Sequence, residues 1–198
     1  MAARPRTLPA AVAPVLVGTS LAIRYGTFHP LAFIAALIGA MAIQIGTNLS
    51  NDYSDARRGA DTDERIGPVR VTAGGLVPPR QVLIATYLTF AAAVLCGVYL
   101  IAIAGWALLA VGAASILAGV LYTGGPRPYG YAGLGEVFVF LFFGIVAVSG
   151  SYFVQRRALP WQAFVLAVPV GLLIAAISRP TGTASTNACQ GSARRWTK

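Results

Sequence analysis

The sequence predicts an all-α fold, a polytopic transmembrane helical bundle of about six spans. Three observations predict it. Of the 198 residues, 57% are apolar and only 11% are charged, where a soluble domain carries about 25%. Mean hydropathy is +0.70. The apolar residues are also gathered into long uncharged runs, each near the roughly 20 residues that a bilayer-spanning helix needs. These features exclude a soluble globular domain, a disordered chain and a collagen-like repeat. With two cysteines, they also exclude a disulfide scaffold.

The elements follow in order. Leu8 to Ile23 carries no charge and extends past Arg24 toward Phe28 as a first span. Arg4, Arg6 and the small residues Ser20-Leu21-Ala22 imitate a signal peptide, but the many later apolar runs favour a retained span. Arg24 snorkels to the interface, and His29 beside Pro30 is plain loop. Leu31 to Ile45 is the second apolar run, and it ends in the amide-rich, acidic segment Gln44 to Asp55. Residues 56–80 form a polar loop. Residues 81–126 hold no charged side chain, and these 46 residues make two spans with a turn near Ala104-Gly105. Gly124-Gly125-Pro126-Arg127-Pro128 breaks the chain. A fifth span covers Gly135 to Gln155 and a sixth Pro160 to Ile177, with Pro169 tolerated inside it. Gly39, Gly112 and Gly119 are placed for close helix packing. Phe138, Phe140, Phe142 and Phe143 are placed for lipid or helix contacts. Cys96 reads as a buried hydrophobe and Cys189 as an incidental thiol. Residues 1–177 therefore form one transmembrane domain. Residues 178–198, Ser/Thr-rich with four bases and no acid, read as a disordered or out-of-frame basic tail.

Fifteen basic residues oppose six acidic ones, for a net charge of +9. In a soluble protein this balance would point to nucleic acid. Here the arginines lie between apolar runs, so they report membrane topology and anionic lipid head groups, and no nucleic-acid partner is expected. With the N-terminus in the cytosol, eight arginines face inward and three (Arg24, Arg156, Arg157) outward. The positive-inside rule favours that orientation. Both polar loops, 51–80 and 123–134, then share the cytosolic face of an integral membrane protein.

Five of the six acids fall between Asp52 and Glu64. If the second helix continues to about residue 56, Asn48, Asn51, Asp52 and Asp55 are spaced i, i+3, i+4 and i+7 and share one face. Carboxylates and amides are hard oxygen ligands of the kind that hold Mg²⁺ beside a substrate phosphate. Asp61 and Asp63 lie close enough in sequence to fold back onto the same ion. Neighbouring carboxylates need a cation to stay ionised together. Arg65 and Arg70 suit diphosphate oxygens. The plain alternative is a solvated loop laced with salt bridges. In the second loop, Arg127 suits a phosphate, Tyr122, Tyr129 and Tyr131 suit a flat ring or a cation, and the glycines permit close backbone approach. An interfacial aromatic belt accounts for that loop equally well. Glu136 either favours the N-terminus of the fifth helix or lines a cavity.

These residues resemble the UbiA superfamily of intramembrane prenyltransferases. Asn51-Asp52-x-x-Asp55 followed by Asp61 is similar to the first aspartate-rich motif of that family. The longer strings at 51–70 and 122–136 resemble the branch that prenylates 1,4-dihydroxy-2-naphthoate in menaquinone synthesis. The resemblance covers about residues 4–177. It implies a helical bundle around a cavity with its polar site at the cytosolic mouth, in a bacterial cell membrane. Asn51, Asp52, Asp55 and Asp61 would bind Mg²⁺ and the diphosphate of a polyprenyl donor, with Arg65, Arg70 and Arg127 on the diphosphate. Asn48, the three tyrosines and Glu136 would line the substrate site. The implied reaction is electrophilic aromatic substitution on dihydroxynaphthoate.

The chain departs from that pattern after its sixth span. The resemblance implies about nine spans and a second aspartate-rich motif, whereas residues 178–198 hold no Asp or Glu. A truncated or frameshifted member, weak or inactive in this form, is the corresponding expectation. The rivals are a membrane transporter, a non-catalytic isoprenoid-binding fragment and a CDP-alcohol phosphotransferase. The last would carry an Asp-Gly-x-x-Ala-Arg element that is missing here.

Overall fold

A computed structural model of the chain describes residues 4–58, 72, 75–126 and 128–195; for Arg58, Tyr131, Ala132 and residues 179–195 it describes the backbone alone. A 3-10 turn, Pro5–Thr7, leads into α1 (Leu8–Arg24). Then come α2 (Pro30–Arg58), α3 (Pro79–Ala104) and α4 (Ala107–Leu121). A second 3-10 turn, Tyr129–Ala132, precedes α5 (Gly135–Val139), which runs through a π-helical stretch (Phe140–Val146) into α6 (Ala147–Arg156). The last helix is α7 (Trp161–Arg195). Proline opens α2 and α3 and occupies the first turn of α1, positions where its missing N–H removes no helical bond.

Five of these helical segments are long and apolar enough to cross a membrane: Pro5–Arg24, Pro30–Arg57, Pro79–Ala104, Gly135–Arg156 and Trp161–Ser178. The protein is an integral membrane protein. The remaining run, α4, has 15 residues, or about 22 Å at 1.5 Å per residue. That is shorter than the roughly 30 Å hydrocarbon core, so the six expected spans resolve into five full ones and a short sixth. Backbone 178–195 continues α7. A helix already formed extends at one hydrogen bond per residue without a new nucleus.

The helices alternate in direction and pack mainly as α1 on α6, α2 on α3, and the π-helical stretch on α7. Glycines set the closest approaches. A Cβ on Gly144 would stand 2.7 Å from Gly171 Cα, and one on Gly171 would stand 2.8 Å from Phe140 Cδ2. A Cβ on Gly119 would strike Thr47, as close packing predicted, but Gly112 faces open space and Gly39 makes only ordinary contact with Cys96. Which glycine serves as a packing notch depends on the neighbouring helix, and residue type carries no record of it.

The alternation creates two ends. One gathers the 3-10 turn at Pro5–Thr7, the C-terminal turns of α2 and α4 and the start of α5. The other gathers the C-terminal turns of α1, α3 and α6 with the starts of α2, α4 and α7.

Candidate active site

The last turns of α2 carry the polar constellation. α2 stays helical through Arg58, so Asn48, Asn51, Asp52 and Asp55 share one face. All four are buried, between 2% and 6% exposed. That burial excludes a solvated salt-bridged loop as the environment of these four side chains.

Three threonines from three separate segments meet this face. The Thr72 backbone N–H and Oγ1 both donate to Asp52 Oδ2, at 3.1 and 2.5 Å. Thr123 Oγ1 donates to Asn51 Oδ1 at 2.8 Å. Thr7 Oγ1 accepts from Asn48 Nδ2 at 3.0 Å and from Gln44 Nε2 at 3.1 Å, and donates to Arg4 O at 2.9 Å. The N-terminal turn and the segments after α2 and α4 are thereby fastened to one helix face. A carboxylate accepting two hydrogen bonds on one oxygen is oriented as well as stabilised.

Tyr122 is the second organising side chain. Burial raises its pKa, Glu136 and Asp55 push it further up, and Arg4 opposes the rise. One phenol therefore lies in the field of the α2 aspartate, the α5 glutamate and the N-terminal arginine. Its carbonyl accepts from the Gly130 N–H at 2.9 Å. A Cβ on Gly135 would lie 2.9 Å from the phenol oxygen, so only glycine leaves room there.

Tyr129 meets Tyr122 edge to face, with ring centroids 5.4 Å apart, and stacks on Phe138 at 4.0 Å. Its hydroxyl donates to Ala118 O at 2.7 Å, and burial pushes its pKa up to about 12. Phe138 continues the stack to Phe142 at 6.2 Å. An aromatic wall thus rises from the loop into the span, built on Phe residues that the sequence marked only as lipid or helix contacts.

The structure therefore brings together Asn48, Asn51, Asp52, Asp55, Tyr122, Tyr129 and Glu136 at one end of the bundle. Asp61, Arg65, Arg70 and Arg127 lie outside the described residues, as does the Tyr131 side chain. Sequence reasoning missed Thr7, Thr72, Thr123 and Arg4. Single threonines in polar turns carry no spacing signal, and their partners lie 41, 20 and 72 residues away.

Among the described residues, no three His, Cys, Asp or Glu side chains come together as a metal cluster. Asp52 and Asp55 nevertheless supply two buried carboxylates on successive turns, flanked by amides. This hard-oxygen donor set fits a magnesium-sized cation that also binds a substrate phosphate.

Residues 11–180 match the UbiA prenyltransferase family. The chain is 46% identical over 174 residues to a 1,4-dihydroxy-2-naphthoate octaprenyltransferase of Mycobacterium tuberculosis, covering 86% of this chain and 58% of that protein. It is 42% identical over 180 residues to the protein of the same name in Escherichia coli, covering 88% and 58%. A 2-carboxy-1,4-naphthoquinone phytyltransferase of Synechocystis is 30% identical over 179 residues, covering 89% and 57%. The chain spans a little under three fifths of the length of these relatives. The matched stretch takes in both polar segments and, among the described residues, most of the first long apolar helical segment and all of the other four, and the chain belongs to the UbiA prenyltransferase family.

Proposed function

We propose that the site transfers a polyprenyl group from a polyprenyl diphosphate to an aromatic acceptor, 1,4-dihydroxy-2-naphthoate, in menaquinone biosynthesis. The observation that carries the reading is the buried Asn48, Asn51, Asp52 and Asp55 face, joined to the second motif through Thr123. The names of the relatives support the choice of donor and acceptor. The orientation follows the arginine distribution, with the N-terminus and both motif loops cytoplasmic in a bacterial cell membrane.

Asn51, Asp52 and Asp55, with Asp61, would hold Mg²⁺, and Asn48 would complete the polar face. Bound there, the cation supplies charge neutralisation that favours diphosphate departure. Arg65, Arg70 and Arg127 add guanidinium donors to the diphosphate oxygens. The allylic carbon–oxygen bond breaks, and its electron pair leaves with diphosphate. An aromatic ring carbon of the acceptor donates the pair that forms the new carbon–carbon bond. The attacked carbon then loses its proton, which restores aromaticity, and the carboxylate leaves as CO₂ with a proton taking its place on the ring. Tyr122 and Tyr129, with Tyr131 as a third candidate, would shield the allylic cation, where aromatic faces stabilise positive charge and the apolar wall excludes water. Glu136, whose charge acts on Tyr122, would line the substrate site from α5.

Purified 1–198 in lipid, given Mg²⁺, a polyprenyl diphosphate and dihydroxynaphthoate, tests the reading. Product that vanishes with Asp55→Ala or with EDTA supports it. Metal-dependent donor binding without product assigns this chain donor binding alone, and cation transport without either transfers the reading to a transporter.

A further inference from the structure

The end of the bundle away from the aspartates holds a cavity of about 430 Å³, lined by Arg156, Arg157, His29, Gln155, Tyr99 and Ala32 among others. Its construction is specific. Gln155 is 3% exposed. Its Oε1 accepts from the His29 backbone N–H at 2.6 Å, and its Nε2 donates to His29 O at 3.3 Å, which pins the start of α2 to the end of α6. Arg156 donates to Tyr25 O and lies over the Tyr25 ring at 5.6 Å. Arg157 stands in the left-handed region at φ 53, a conformation that disfavours a non-glycine residue, and from there donates to Ile103 O. Two guanidinium groups are thus held at one rim by the carboxyl-terminal turns of α1 and α3. Each contact uses one of an arginine's five N–H donors.

No carboxylate among the described residues balances these charges. Arg24, Arg156 and Arg157 share this end, while Asp52, Asp55 and Glu136 stand at the other. Two exposed tryptophans, Trp106 at 79% and Trp161 at 69% exposure, begin α4 and α7 at this same end. Tryptophans there mark the head-group level of a bilayer. Ala32, Ile103 and Val154 contribute the apolar part of the cavity lining, and α2 and α3 expose Leu31, Ile34, Leu95 and Val98.

We propose that this cavity is a binding site for a phosphate monoanion, supplied by the phosphodiester of an anionic phospholipid. Arg156 and Arg157 hold the phosphate, and the acyl chains lie along the exposed apolar faces of α2 and α3. The site lies at the opposite end of the bundle from the proposed transfer chemistry, so its test does not depend on turnover.

Native mass spectrometry of the purified chain, with phosphatidylglycerol against phosphatidylcholine, reads the preference directly. Retention of phosphatidylglycerol should exceed that of phosphatidylcholine by about fivefold per engaged arginine. It should fall to near parity in the Arg156→Gln/Arg157→Gln double variant and persist in Arg24→Gln. Ala32→Leu narrows the cavity and leaves both charges in place. It lowers retention if the cavity is the site, and it decides the matter if the double variant does not fold. Equal retention of the two lipids by the parent chain, or a preference unchanged by both the double variant and Ala32→Leu, overturns the proposal. Displacement of the lipid by millimolar inorganic phosphate would reassign the site to free phosphate and overturn the lipid part.

Discussion

Thr123 Oγ1 donates a 2.8 Å hydrogen bond to Asn51 Oδ1, joining the loop after α4 to the acidic face of α2. The bond fixes which way the Asn51 amide points and holds the two conspicuous motifs of the chain against each other. Thr123→Val removes the donor and leaves a buried amide oxygen without it. We expect about 1 kcal/mol lower stability and, under the proposed reaction, about tenfold lower transfer from a misoriented ligand. Thr123→Ser should restore both. Thermal unfolding and single-substrate kinetics of the two variants check this.

Thr72 grips Asp52 from the far side of the polar loop, with backbone and hydroxyl on the same carboxylate oxygen. Thr72→Val leaves the backbone bond and removes the hydroxyl from a charged, buried acceptor. The expected cost is about 2 kcal/mol, in the range of hydrogen bonds to charged groups. Asp52→Asn keeps the shape of the side chain but abolishes its charge, so under the proposed reaction it should fold and fail to transfer. A Thr72→Val protein as stable as the parent would show that the hydroxyl contributes nothing to holding Asp52.

The two loop phenols have raised pKa values because burial disfavours their charged forms. Tyr129 ionises at about 12 in the folded chain, against 10.0 for an ordinary tyrosine. The unfolded chain therefore releases that proton first as pH rises. The stability linked to it is complete below pH 10.0 and is lost as pH climbs toward about 12. Tyr129→Phe should flatten this alkaline decline and also destabilise the loop by about 1 kcal/mol through loss of the bond to Ala118 O. Unfolding followed from pH 8 to 12 in parent and variant measures the difference.

Gly144 and Gly171 let the π-helical stretch and α7 touch backbone to backbone. Gly144→Ala sets a methyl carbon 2.7 Å from Gly171 Cα, where no flexible side chain can yield. We expect a loss of about 1–3 kcal/mol from overpacking, seen as earlier unfolding in detergent. Gly112→Ala faces open space and should gain about 1 kcal/mol of helix propensity.

Thr19 lies in α1 at 3% exposure, and its Oγ1 has no hydrogen-bond partner among the described residues. Val has nearly the same shape and no buried polar atom. Thr19→Val should raise stability by about 1 kcal/mol. Lowered stability would mean that the hydroxyl has a partner.

Much of this protein was legible in one dimension, because much of it is decided locally. Uncharged runs bounded by Arg, Pro and Gly located the helix starts to within a few residues, since a bilayer admits few alternatives to a helix. Four polar residues at i, i+3, i+4 and i+7 announced a common face, which follows from helical geometry once α2 continues past its apolar stretch. The family was readable in the strings at 51–70 and 122–136.

The rest was decided by packing. Thr7, Thr72 and Thr123 are ordinary polar residues until three distant segments fold onto α2 and turn them into the partners of Asn48, Asp52 and Asn51. Tyr122 gains its raised pKa only when packing buries it and brings Glu136 and Asp55 near it. Gly39, Gly112 and Gly119 look alike in the chain and differ in what stands opposite them. Arg156 and Arg157 read as topology markers, yet the carbonyls they reach belong to α1 and α3. Periodicity records which way a residue faces on its own helix; the identity of what it faces is a property of the assembled bundle, where a hydrogen bond links residues 131 positions apart.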